Sequence, residues 1–184
     1  MDKKLIREKF HKQNYKFCKN FNAYKSVLKT INGANLTKKK LNLLLYIPKE
    51  KEINLYKYRR FLTKKFNLYT TKMLDNNSLA FTKLRLPLEI KKYKIKESVS
   101  KIENVKIDIA LIPCLGVDGD FRRIGFGKGY YDRTFFRIDY DLLIIFIQNN
   151  DLILQEKICS KLDIRGDFYI TPKKIYKRKE LKWH

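Results

Sequence analysis

Three short apolar runs constrain this chain more than any other feature. Residues 41–47 stop at Pro48, residues 107–112 stop at Pro113, and residues 142–147 are apolar throughout. Runs of this length suit strands, and a strand that is apolar on both faces needs cover on both. Between them lie segments with helical spacing. Apolar residues recur at Ile6, Phe10, Phe17, Phe21, Tyr24, Leu28 and Ile31, in steps of three, four or seven. That predicts an amphipathic helix or helix pair, broken near 14–22, with Asp2 as cap and Gly33 as stop. After Pro48, a second helical stretch puts Ile53, Tyr56, Phe61 and Leu62 on its inner side.

Residues 66–72 and 79–86 read as strands parted by the turn signal Asp75-Asn76-Asn77-Ser78, and Pro87 closes the second. Residues 89–100 are charged and read as a surface excursion. Residues 130–138 and 152–162 read as helices, 168–170 as a last strand, and Pro172 as the start of a basic tail. No repeat or linker divides the chain, so 1–184 reads as one domain. Alternating strands and helices predict a three-layer α/β/α fold with a mostly parallel central sheet, Rossmann-like in class.

The chain carries a formal charge of +23, yet 44% of it is hydrophobic, which argues against disorder. Such a charge attracts polyanions, so a basic nucleic-acid-binding protein without catalysis is one reading. The lysines are spread over every segment rather than gathered in a stripe, so biased composition is the other, and a small anionic substrate would also feel the field. The apolar runs are far too short to span a bilayer. Met1 leads straight into charge with no apolar leader, and Cys18, Cys114 and Cys159 are odd in number and widely spaced. Both point to a cytoplasmic protein.

The chemistry gathers in residues 111–133, LIPCLGVDGDFRRIGFGKGYYDR. Backbone N–H groups can converge on an anion where glycines free the backbone, as Gly125-Phe126-Gly127-Lys128-Gly129 does. The helix expected to follow adds its positive end. Lys128 and Arg123 are cations able to follow charge onto a transferring phosphoryl group, and Asp132 is placed to hold magnesium. A glycine-rich hairpin with exposed tyrosines is the plainer alternative. Neither GxxxxGK[ST] nor GxGxxG is present. Lys3 and Arg7 share one helix face, the spacing of a solvated pair. Glu52 sits where a strand hands over to a helix, an edge that carries ligands in open α/β sheets, although an acid there also serves to offset the helix dipole.

This stretch closely resembles the signature of the 5-formyltetrahydrofolate cyclo-ligases, through Pro113, Gly116, Asp118, Arg123, Gly125, Gly127, Lys128, Gly129, Tyr130, Tyr131, Asp132 and Arg133. Weaker echoes lie at Lys3 and Arg7, at Ile47 and Glu52, in the segments 79–84 and 93–98, and at Asp163 and Asp167. The resemblance implies an enzyme that turns 5-formyltetrahydrofolate into 5,10-methenyltetrahydrofolate, cleaving ATP with magnesium, and a monomer is expected. It implies an ATP site made of Lys3, Arg7 and Arg123 through Tyr131, that is Arg123, Gly125, Phe126, Gly127, Lys128, Gly129, Tyr130 and Tyr131. It implies a folate site at Ile47, Glu52 and Tyr130, and catalytic roles for Lys128, Arg123 and Tyr130. Asp132 and Asp163 would be metal ligands, with Asp167 in reserve. Three positions depart from the pattern. Phe121 stands where a turn glycine is usual, with Gly119 as its expected substitute. Ser98 replaces a proline, and Leu162 replaces a histidine.

Overall fold

The computed structural model describes residues 2–13, 20–34, 36–37, 40–91 and 95–178. Phe17 of the helical stripe, Cys18 and the start of segment 93–98 lie outside them. The chain begins with α1 (Lys3–Gln13), α2 (Asn20–Asn32) and β1 (Leu41–Leu45), and a 3-10 turn (Tyr56–Tyr58) then runs into α3 (Arg59–Lys65). Strands β2 (Phe66–Met73), β3 (Leu79–Lys83), β4 (Leu88–Ile90), β5 (Lys96–Ser98) and β6 (Ile109–Pro113) follow. Next come β7 (Gly116–Val117), β8 (Arg123–Ile124), α4 (Tyr130–Phe135), β9 (Leu143–Ile147), β10 (Phe168–Ile170) and β11 (Ile175–Lys177).

Among the described residues, seven strands form one sheet in the order β11-β10-β9-β6-β1-β2-β3. The four inner pairings are parallel, and β3 and β11 close the edges antiparallel. Strand alternation sorts the apolar runs onto two faces. Leu43, Leu45, Ile109, Leu111, Ile145 and Ile147 pack with Ala23, Val27 and Ile31 of α2 and Leu62 of α3. Leu44, Ala110, Ile112 and Phe146 pack with Phe121, Phe135 and Ile164 on the other side. The three-layer, mostly parallel expectation is met. No helix among the described residues is long and apolar enough to cross a membrane.

Several local expectations are corrected. The stripe of residues 6–31 does not run on across the break. Ile6 and Phe10 of α1 join a separate cluster with Leu115, Ile124 and Leu152, while α2 buries Ala23, Val27, Thr30 and Ile31. Phe21 is therefore 52% exposed, and Phe61 of α3 is 60% exposed. Helix α4 stops at Phe135 because its last turn tightens to three-residue bonds, Arg137 N to Thr134 O and Ile138 N to Phe135 O. Segment 89–100 contains the paired strands β4 and β5. The expected basic tail begins with β11, paired to β10.

Residues 152–162 are not helical. Their backbone is used elsewhere: the Val117 and Gly119 N–H groups donate to the Leu152 and Glu156 carbonyls, and Leu154 N–H donates to Val117. The buried Asp118 carboxylate completes the arrangement. Its Oδ1 accepts from the N–H of Asp120 (3.0 Å) and Arg122 (2.9 Å), and its Oδ2 accepts from Ile158 (3.1 Å) and Cys159 (2.8 Å). Phe121 takes φ 60°, the left-handed backbone that suits a glycine. Its own main chain thus makes the turn, and burial of its ring to 2% exposure offsets the strain. Gly119 answers a different need, since a Cβ there would lie 1.9 Å from the Gln155 carbonyl oxygen.

Asp118→Ala leaves four part-buried main-chain donors without their acceptor. It should lower stability by on the order of 2–4 kcal/mol, read from urea denaturation.

Candidate active site

The strands deliver their C-terminal ends to one pocket of about 190 Å³. Tyr46, Ile47, Lys49 and Glu52 follow β1, Thr70, Thr71 and Met73 end β2, and Pro113 ends β6. The glycine stretch supplies Arg123, Phe126, Lys128, Gly129, Tyr130 and Tyr131. Residues expected from both halves of the site, Ile47 and Glu52 with Arg123, Lys128 and Tyr130, therefore share one cavity.

Arg123 is the centre of this arrangement. It is 4% exposed, and its Nε and Nη2 donate to the Pro113 carbonyl at 3.1 and 3.0 Å. Its Nη1 meets Asp132 Oδ2 at 3.1 Å, and the guanidinium lies 5.1 Å from the Tyr131 ring centroid. The sequence suggested a mobile cation here; the structure gives a fixed one, because Nε, Nη1 and Nη2 each have a protein partner. Gly125 is required by it, since a Cβ would come within 2.2 Å of Arg123 Nη1. Gly129 precedes α4 at φ 69°, again left-handed. Lys128 beside it is exposed and lines the same cavity.

Helix α1 docks against the loop from outside the cavity. Lys4 N–H donates to the Asp2 carboxylate at 2.8 Å, as expected of a cap. Arg7 Nε donates to the Gly125 carbonyl at 3.1 Å. Lys3 Nζ meets Asp163 Oδ1 at 2.6 Å. Burial pushes the Asp163 carboxyl up, but Lys3 and the Ser160 N–H outweigh it and hold its pKa below the ordinary value. Arg7 is thus brought to the glycine loop and Lys3 to Asp163, so they are not left as a solvated pair, though neither lines the cavity.

The proposed metal ligands are all engaged by protein groups. Asp132 holds Arg123 and accepts the N–H of Ile164, the residue after Asp163, at 3.3 Å. Asp163 holds Lys3 and Ser160. Asp167 accepts Ile144 N–H at 2.9 Å and pairs with Arg178, where β9 and β10 begin, at the other end of the strands from the pocket. That removes Asp167 from the site. Among the described residues, no group of three His, Cys, Asp or Glu side chains comes together to hold a metal. These residues do not fit a magnesium ion held by the protein alone.

Glu52 accepts the Lys49 N–H at 2.9 Å. Burial raises its carboxyl pKa above the ordinary value, against the pull of Lys49 and Arg123. Burial also pushes the Tyr131 hydroxyl up to about 12, so it stays protonated at neutral pH. The residues that sequence reasoning missed are Lys49, Thr70, Thr71 and Glu97. The adjacent hydroxyls of Thr70 and Thr71 in the second half of β2 were the available signal. Ser98 and Leu162, the other departures, serve locally: the Ser98 hydroxyl lies 3.0 Å from the Lys83 and Arg85 carbonyls, and Leu162 is 60% exposed.

A mostly parallel sheet with a caged arginine, a glycine loop and a half-buried acid around one cavity at its strand ends defines a Rossmann-like α/β protein. The model of the 5-formyltetrahydrofolate cyclo-ligase family matches residues 2–162, and the chain belongs to that family. It is 33% identical over 67 residues to the 5-formyltetrahydrofolate cyclo-ligase of Mycolicibacterium smegmatis, a stretch covering 36% of this chain and 34% of that relative. Two solved structures share the fold. The 5,10-methenyltetrahydrofolate synthetase of Aquifex aeolicus is 22% identical with a TM-score of 0.75, over 100% of this chain and 96% of that one. That of Mycoplasma pneumoniae is 20% identical with a TM-score of 0.71, over 94% and 99%.

Gly125→Ala should displace the Arg123 guanidinium from Pro113 and Asp132 and lower stability by on the order of 1–3 kcal/mol, read from urea denaturation. Because folding keeps a proton on Glu52 above its ordinary range, native stability should fall as pH rises from the unfolded toward the folded pKa. Glu52→Gln cannot ionise and should abolish that fall, which thermal melts from about pH 4 to about pH 8 would reveal.

Proposed function

We propose that the protein converts 5-formyltetrahydrofolate to 5,10-methenyltetrahydrofolate with cleavage of ATP to ADP and phosphate. The observation that carries this reading is the shared cavity, in which Ile47 and Glu52 meet Arg123, Lys128 and Tyr130. Family membership supports it. An N-formyl oxygen is a poor leaving group, so it first attacks the γ-phosphorus of ATP and ADP departs. N10 of the folate then attacks the activated formyl carbon and loses its proton. Phosphate carries off the formyl oxygen as the ring closes.

Each residue has a task suited to its setting. Arg123 offers a preorganised positive charge that costs no rearrangement when negative charge builds on the phosphoryl oxygens. Lys128, exposed on the loop, follows the γ-phosphoryl group as it moves. Gly125, Phe126, Gly127 and Gly129 give the phosphates access to the backbone, and Lys3, Arg7, Tyr130 and Tyr131 complete the ATP side. Ile47 packs against the pterin, Glu52 faces the formyl end, and Tyr130 touches both substrates. Any magnesium would have to come with ATP, since Asp132 and Asp163 are already paired with Arg123 and Lys3. The reading sets the enzyme in the cytoplasm.

With ATP, magnesium and 5-formyltetrahydrofolate, the purified protein should develop the near-ultraviolet absorbance of methenyl-folate. Absence of that signal, together with steeply salt-sensitive oligonucleotide binding, would favour a nucleic-acid-binding protein instead. Lys128→Ala should cut turnover by about 10²-fold or more without loss of folding. Unchanged turnover would remove Lys128 from the mechanism.

A further inference from the structure

A second acid lines the pocket and has no part in the chemistry above. Glu97, on β5, is 4% exposed and borders the same cavity as Glu52. Its Oε1 accepts the Met73 N–H of β2 at 2.8 Å, which pins the β4–β5 hairpin to the sheet as a pocket wall. Among the described residues, no cation forms an ion pair with it. A carboxylate buried with one hydrogen bond is costly to folding, and such a group persists where a ligand completes its bonding. A second observation points the same way. Thr70, three residues before Met73 on β2, also lines the cavity; it is 1% exposed, and its hydroxyl has no hydrogen-bond partner.

The two acids occupy different settings. Glu52 follows β1 and accepts the Lys49 N–H at 2.9 Å. Glu97 rides on the hairpin and is tied to the end of β2. A pterin carries a 2-amino group beside a ring N–H, two donors side by side that match one carboxylate.

We propose that Glu97 is a specificity-determining residue whose carboxylate receives the 2-amino edge of the pterin ring. This rests on the folate reading of the pocket. Glu97 then selects 2-aminopteridines, leaving Glu52 to the formyl end.

The test is equilibrium binding, without ATP, of 5-formyltetrahydrofolate and its 2-desamino analogue. The wild type should hold the analogue about 10- to 100-fold more weakly, the range for a lost hydrogen bond to a charged group. Glu97→Gln keeps an acceptor for Met73 N–H and should bind 5-formyltetrahydrofolate more weakly by a similar factor. It should also lose the discrimination, while Glu52→Gln retains it. A purely structural role would not move that ratio. Glu97→Asp, which shortens the reach but keeps the charge, should likewise lose discrimination and serves if Glu97→Gln does not fold. Discrimination undiminished in the Glu97 variants, or absent in the wild type, would overturn this inference alone. Failure of the wild type to bind 5-formyltetrahydrofolate at all would overturn the folate reading and this inference with it.

Discussion

Arg123 keeps a full positive charge at 4% exposure, and it can do so only because Pro113 and Asp132 receive its donors. An uncompensated buried guanidinium would cost several kcal/mol. Each partner comes from a different element: Pro113 ends the central strand β6, and Asp132 sits in the first turn of α4. One side chain therefore joins the sheet, the small β7–β8 ribbon and the helix behind the glycine loop. Those contacts also orient the charge, so it faces the pocket without needing to move.

The neighbouring sequence follows from that cage. Gly125 has no side chain because the guanidinium fills the space. Arg7 reaches the Gly125 carbonyl and Lys3 reaches Asp163, so α1 closes over the loop from outside. Asp118, buried behind the loop, holds residues 118–122 and 158–159 through main-chain bonds. The cavity thus has a buried, caged cation, Arg123, within and an exposed one, Lys128, on its glycine loop. The division suits a reaction in which charge shifts from one oxygen to another.

Much of this was legible in the sequence. Continuous apolar runs gave the parallel strands, since both faces of that sheet are covered, and the glycine stretch gave the loop. What failed did so for tertiary reasons. Residues 152–162 have helical spacing, but Val117, Gly119 and Asp118 claim their backbone groups. Phe21 keeps period with Phe10, yet α1 and α2 pack on different clusters. Phe121 looked like a lost glycine, whereas its main chain makes the turn at φ 60°. Glu97 and Thr70 were invisible as site residues because their burial depends on a hairpin folding back onto β2. Asp167 looked like a spare metal ligand, and only the topology sets it at the far end of the strands.

The central claim is that the formyl oxygen and the γ-phosphorus of ATP meet directly in the cavity beside Arg123. Turnover of 5-formyltetrahydrofolate carrying oxygen-18 in its formyl group tests it most directly, by mass analysis of the phosphate released. The account predicts that the label appears in inorganic phosphate, one atom for each methenyl-folate formed. Methenyl-folate formed with unlabelled phosphate, the label passing to water, would contradict it.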